Sequence, residues 1–429
     1  MGRKRKHYTK IILTFLLFTP FLLQATNIKY EDYIYNDSIK TVLLYQVGNP
    51  LSYPIIRLNS QDKLKLSFDD LTGNVKNYAV KFIHCDENWQ PSNIPTMDYM
   101  NNFEFDNITD YDYSYNTLQY YVHYNYIFPN DNIKFLISGN YILYVYNTDD
   151  EDDIILSKRF VITEDIVGVS VKIKAPELPL YRKTHQELYI DIDISGLGEC
   201  NDPAHEIKLC ILQNNRWELA HKDIAPYSIE NHKLIYRYDD KLLFKGSNEF
   251  RYFNTKTTRF LSQHIANIRY FDNHYHFYLY ADPVKKYKQY LYEKDLNGKY
   301  KVDVEMKNNP ELEADYVYVH FYLPYDYPLN TGDLYISGAL TNWEYNNKNK
   351  LLYDYKNKAY YTDLYLKQGF YNYHYTFVDK KTGKADDSLI EGTYNDTEND
   401  YLVYVYFHKV GSRYTRVVAV RKANSLNQK

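Results

Sequence analysis

Three groups of residues have types and spacings that chemistry could use. His84, Cys85 and Asp86 stand consecutively, which brings a nucleophile and a base together in sequence. An extended strand sends neighbouring side chains to opposite faces, so His84 and Cys85 do not face each other without a bulge. The run therefore reads as a buried cysteine at a strand end with polar neighbours. His274 and His276 share a strand face, as two metal ligands would, but no third ligand has matching spacing. Asp149, Asp150, Glu151, Asp152 and Asp153 could offer oxygens to calcium, and they equally keep a hairpin tip solvated. Sequence signatures of serine hydrolases, zinc proteases, phosphate-binding loops and dithiol redox enzymes are absent. No residue is assigned a catalytic, cofactor-binding or metal-binding role on these grounds.

The elements that would position such residues are strands. Alternation of apolar and polar residues runs through Lys40 to Tyr45, Leu64 to Phe68, Asn77 to His84, Tyr120 to Phe128, Gly139 to Tyr146 and Ile155 to Ile162. It continues in Leu188 to Ile194, Tyr316 to Leu323, Tyr360 to Leu366, Tyr371 to Val378 and Tyr401 to Phe407. Asn214-Asn215 and Asn297-Gly298 read as tight hairpin turns. Met97 to Asn102 could form a turn or two of helix, and no longer helical period is present. Composition agrees. The chain holds 52 tyrosines in 429 residues against 15 glycines and 14 prolines, and tyrosine suits a pleated, half-buried surface. The fold class is all-β, as tandem immunoglobulin-like β-sandwiches, with units at residues 27–165, 166–307 and 308–429. The segment Met306-Lys307-Asn308-Asn309-Pro310 marks the second boundary. The formal charge of -4 leaves no basic surplus to release counterions, which excludes a nucleic-acid partner. Three cysteines cannot all pair within one chain, and whether Cys200 and Cys210 pair is left open. Trp89, Trp217 and Trp343 each follow a turn, where core packing is the default.

Residues 1–25 have the form of a signal peptide. Arg3, Lys4, Arg5, Lys6 and Lys10 precede the apolar run Ile11 to Leu23, and Ala25 supplies a small residue at the cleavage site. The run falls short of the roughly 20 apolar residues that a membrane span needs. Removing residues 1–25 takes away five positive charges and no negative ones, so the formal charge moves from -4 to -9. No cysteine follows the run to carry a lipid. The mature chain is expected to be soluble and exported.

Longer phrases carry a family resemblance. The first unit contains Phe82-Ile83-His84-Cys85-Asp86-Glu87-Asn88-Trp89, then Pro91-Ser92, Asn116-Thr117, Phe128-Pro129-Asn130 and Ser138-Gly139-Asn140-Tyr141. The second contains Thr184-His185-Gln186-Glu187 and Gly246-Ser247-Asn248-Glu249-Phe250-Arg251-Tyr252-Phe253. The third opens with Asn309-Pro310-Glu311-Leu312-Glu313-Ala314-Asp315-Tyr316-Val317. In this order they resemble the plug protein family of the Bacteroidota type nine secretion system. The resemblance implies a non-enzymatic periplasmic protein, peripheral to the periplasmic face of the outer membrane. It implies that the partner is the outer-membrane translocon β-barrel, whose pore the family seals between transport events. It implies no cofactor and no small-molecule substrate.

A second resemblance lies within the third unit. Tyr335-Ile336-Ser337-Gly338-Ala339-Leu340-Thr341-Asn342-Trp343, then Gly369-Phe370-Tyr371-Asn372-Tyr373 and Phe377-Val378-Asp379, resemble a glycogen-binding immunoglobulin-like (early-set) module. Trp343 occupies the position of its sugar-stacking tryptophan. Lys380-Lys381-Thr382 and Tyr375 stand where that module has a second tryptophan and a lysine. The alternative function is therefore a cell-envelope carbohydrate-binding protein that uses Trp343.

Intact-mass measurement of chain recovered from the periplasmic fraction is expected to show loss of residues 1–25, within a few residues, and no acyl increment. A retained Met1 would contradict this reading.

Overall fold

A computed structural model describes residues 28–426, and the signal peptide expected at residues 1–25 lies outside them. Alternation becomes sheet. In the strand Tyr316–Pro324, Val317, Val319, Phe321 and Leu323 are buried, while Tyr318, His320 and Tyr322 lie on the opposite, partly exposed face. Among the described residues no α-helix exceeds four residues, and the turn expected near Met97 is the helix Thr96–Tyr99.

The first sandwich has two sheets. One runs in the order Tyr33–Ile34, Asp150–Thr163, Gly139–Asn147, Tyr78–Cys85 and Phe105–Ile108, with Ile55–Arg57 pairing parallel to Asp150–Thr163. The other runs Ile39–Gln46, Leu64–Asp70, Val122–Phe128 and Asp110–Tyr113. Phe68, Tyr124, Phe82, Phe128, Tyr141 and Phe160 fill the space between them. Phe68 stacks on Tyr124 at 5.1 Å and Tyr141 on Phe160 at 5.3 Å.

The remaining strands do not divide at the expected boundaries of 166–307 and 308–429. The middle sandwich places Gly168–Lys174, His185–Asp193, Lys233–Tyr236 and Ser228–Glu230 in one sheet, where Leu243–Lys245 also pairs with His185–Asp193. Its second sheet joins Ile207–Gln213 to the C-terminal strands Asp400–Phe407 and Arg416–Asn424. The third sandwich takes what lies between. Arg251–Asn254, Tyr300–Val302 and Gly332–Ser337 pair with Gly369–Asp379, opposite the sheet Ile265–Phe271, His274–Leu279, Tyr316–Pro324, Ala359–Lys367 and Leu352–Asp354. The middle domain is thus discontinuous, with the third domain inserted before its last two strands. Alternation shows where a strand is and which faces it has, but not which strand it will pair with. Met306 to Pro310 leads into the short helix Pro310–Glu313, which lies at the contact with the first sandwich instead of ending a domain. Asn297-Gly298 turns the chain at the end of an irregular stretch, not between paired strands.

Tyrosine fills the interior. Tyr78, Tyr141, Tyr316, Tyr373, Tyr375 and Tyr401 are among the largest fully buried side chains. Their hydroxyls find acceptors, as burial requires: Tyr78 donates to Asp70 at 2.8 Å, Tyr375 to Asp282 at 2.7 Å and Tyr401 to Gln186 at 2.7 Å.

Each pair of sandwiches meets through specific contacts. Between the first and third, Lys367 Nζ pairs with Asp69 Oδ2 at 2.7 Å, both side chains within 1% of full burial. Tyr316 OH donates to the same oxygen at 2.6 Å, and His123 Nδ1 lies 2.6 Å from Asp69 Oδ1. Burial works against the charged Asp69 carboxylate, but the Lys367 ammonium and the His123 ring outweigh it and hold the group below its ordinary value. Between the first and middle sandwiches, Trp89 meets Trp217 edge-on at 4.9 Å, and the Arg159 guanidinium lies 4.7 Å and 5.5 Å from the two rings. Between the middle and third, buried Arg216 pairs with Asp387. Close by, Glu249 accepts from the Glu398 amide at 3.0 Å and from the Tyr290 hydroxyl, and burial pushes its carboxyl up to about 7.

Two outcomes follow. Lys367→Met leaves the buried Asp69 charge facing only the His123 ring and is expected to cost about 3–5 kcal/mol. Asp69→Asn/Lys367→Met, which removes both charges, is expected to recover most of that, as read from urea midpoints. Glu249 holds its proton in the folded state up to about pH 7 but loses it near 4.5 when unfolded, so it favours folding less as pH rises between those values. The wild-type urea midpoint should therefore fall more between pH 5 and pH 8 than that of Glu249→Gln. Equal slopes would refute the assignment.

Candidate functional site

The residues singled out by their chemistry are dispersed by the fold. His84 and Cys85 occupy opposite faces of the strand Tyr78–Cys85, as the strand period requires. His84 lies inside the first sandwich, edge-on to Tyr141 at 5.0 Å, with Nδ1 2.8 Å from Ser92 Oγ and Nε2 3.2 Å from the Ser138 carbonyl. Burial lowers it to about 4, so it stays neutral. It also explains Gly139: a Cβ there would sit 2.1 Å from His84 Nε2, and only glycine fits. Cys85 turns to the seam with the middle sandwich, where it shares a cluster with Trp89, Cys210 and Leu212. Burial pushes its thiol up to about 12. Cys200 and Cys210 are free thiols, and a nucleophile–base pair is not formed.

His276 stacks on Phe271 at 3.6 Å, and its Nδ1 lies 2.9 Å from Nε2 of His320. Strand pairing brings His320 there from Tyr316–Pro324, a contact that spacing could not show. Among the described residues no three His, Cys, Asp or Glu side chains are placed to hold a metal ion. The five acids from Asp149 to Asp153 sit at an exposed hairpin, where Glu151 pairs with Lys81 at 2.8 Å.

Trp343 lies where all three sandwiches converge on a cavity of about 550 Å³, lined by Tyr53, Arg159, Asn214, Trp217, Lys299 and Trp343 among others. The Arg216 guanidinium covers its indole at 4.8 Å, and Phe250 meets it edge-on at 6.0 Å. Gly298 passes so close that a Cβ there would sit 2.5 Å from the indole. A sugar would therefore have to stack on whatever part of the ring the cavity leaves open. Trp343 holds φ at +60°, a left-handed value that bulky residues rarely take. Lys299 lines the same cavity; its Nζ lies 3.6 Å over the Tyr53 ring, and burial lowers it to about 8.

One surface escaped the sequence reading. Between residues 103 and 120, Phe103, Phe105, Tyr111, Tyr113, Tyr115 and Tyr120 are exposed, Tyr113 by 60% and Tyr120 by 68%. The Tyr-Asp alternation of Asp110–Tyr113 is the signal that could have marked it.

Residues 39–164 match the family model described as the type 9 secretion system plug protein 1st domain. Among solved structures, a hypothetical protein from Parabacteroides merdae is 31% identical, with a TM-score of 0.90. The match covers 93% of this chain and 100% of that one. No curated protein matches. The matched segment is the first sandwich, with both its sheets and the phrase Phe82 to Trp89, and the likeness of fold extends over the other two. Residues 39–164 of this chain are the first domain of a type 9 secretion system plug protein.

Proposed function

We propose that this chain is a non-enzymatic plug that binds the periplasmic end of the outer-membrane translocon barrel and closes its pore between transport events. The observation that carries the reading is the family match over residues 39–164 of the first sandwich. The fold supports it in two ways. A body that blocks a wide pore must not deform, and here buried ion pairs and aromatic seams join each sandwich to the others. The exposed aromatic residues of the first sandwich also suit a reversible contact, since tyrosine covers apolar area with few rotamers to freeze. Among the described residues no helix is long and apolar enough to cross a membrane, which suits a peripheral component of the envelope.

Deleting the chain while the translocon stays at its normal level should leave cargo chemistry intact and open the outer membrane to large solutes. The probe is a vancomycin-type antibiotic, normally excluded by size. Increased sensitivity in the deletion strain, reversed on complementation, is the expected result. Unchanged sensitivity would count against a pore-closing role.

A further inference from the structure

Two edge strands end the first sandwich on the same side. Phe105–Ile108 closes one sheet and Asp110–Tyr113 the other, joined through Thr109. Edge strands are ordinarily guarded by shortness, by charge (lysine above all), proline, a bulge or a covering loop, because their free amides and carbonyls recruit other strands. The one guard of charge on this four-residue edge is its two aspartates. Here residues 103–120 contain no lysine, arginine or proline, and all four side chains of Asp110–Tyr113 are exposed. Among the described residues Asp110–Tyr113 pairs with Val122–Phe128 on one side only.

The two faces of this edge differ. Tyr111 and Tyr113 stand opposite Tyr124 and Val122, both buried in the core, so they continue the core row past the last covered strand. Asp110 and Asp112 project from the other face, opposite Asn125 and His123. Glu104 and Asp106 add to the negative charge, and no cation lies within the segment. A strand laid along this edge would thus meet tyrosine on one face and carboxylate on the other, alternating residue by residue.

We infer that Asp110–Tyr113 is the docking edge of this protein and accepts an extended segment of the translocon by strand addition. That segment alternates aliphatic or aromatic residues with lysine or arginine. The inference rests on the plug reading and names its contact. Charge selects the occupant: a second copy of this chain, paired face to face, sets Asp110 and Asp112 against their own counterparts, and like charges directly opposite destabilise a ladder.

The test uses affinity-tagged full-length chain in native cells, with the translocon barrel quantified by mass spectrometry in the retained fraction. Asp110→Lys/Asp112→Lys reverses the charge of the edge. Glu230→Lys/Asp240→Lys makes the same change in net charge at exposed positions of the middle sandwich. The first is expected to lower the retained barrel at least tenfold and the second to leave it unchanged, with both melting like wild type. A photo-crosslinking residue at Tyr113, in an otherwise unaltered chain, covers the case in which the double variant fails to fold. Its adduct should map to a lysine- or arginine-bearing extended segment of the barrel. Equal retention by wild type and both variants overturns the docking edge and leaves the plug reading standing. An adduct to a second copy of the chain, or to none, also overturns it. No barrel retained by wild type itself overturns the plug reading, and this edge with it.

Discussion

The strand Asp400–Phe407 is buried on both faces, and much of the architecture depends on that. Tyr401, Val403, Val405 and Phe407 point into the core of the middle sandwich. Leu402, Tyr404 and Tyr406 point the other way, into the seam with Trp89, Cys85 and Ile142 of the first. One backbone therefore completes one hydrophobic core and lines a second, each side chain contributing about 1.5–3 kcal/mol on burial. Its neighbour Arg416–Asn424 adds to the same seam, where the Glu164 and Ile166 amides donate to the carbonyls of Val417 and Val418 at 2.9 Å. Asp400 itself accepts from the Tyr53 hydroxyl at 2.9 Å. First and middle sandwiches are joined by a strand that completes the middle core and buries its other face against the first, and not by a detachable linker.

The polar interior specifies the arrangement that apolar burial alone would leave loose. A greasy interface between sandwiches tolerates sliding; a buried carboxylate does not, because moving Asp69 away from Lys367, Tyr316 and His123 would strand a charge out of water. The tyrosines act alike on a smaller scale. A hydroxyl in a dry core needs an acceptor, so buried tyrosines such as Tyr78, Tyr375 and Tyr401 set orientation as well as volume.

How much of this was legible in sequence depends on range. Period-two alternation located Tyr316–Pro324, Gly139–Asn147 and Asp400–Phe407 and placed His84 and Cys85 on opposite faces. Those are local properties. Asp69 and Lys367 lie 298 residues apart, and nothing near either announces the other. The partner of Ile207–Gln213 was equally hidden, and so the domain boundaries drawn at residue 307 missed an insertion. His320 joined His276 only through strand order. The exposed edge at Asp110–Tyr113 is a different case. Its alternation and its lack of lysine and proline were visible, but a strand with no covered face reads like a loop until its neighbour is known.

The inserted third domain sets an order of events. Translation delivers the chain from its amino end, so Ile207–Gln213 emerges long before Asp400–Phe407 exists to cover it. Until then the middle sandwich lacks two of the three strands of one sheet and leaves Leu209 and Ile211 open to water. Only a chain that has passed through the whole third domain and reached Asn424 can close it. The fold thereby measures its own length. A product terminated early keeps an unfinished sheet and never acquires the seam against its first sandwich, so a truncated chain carries its own mark, an open row of apolar side chains.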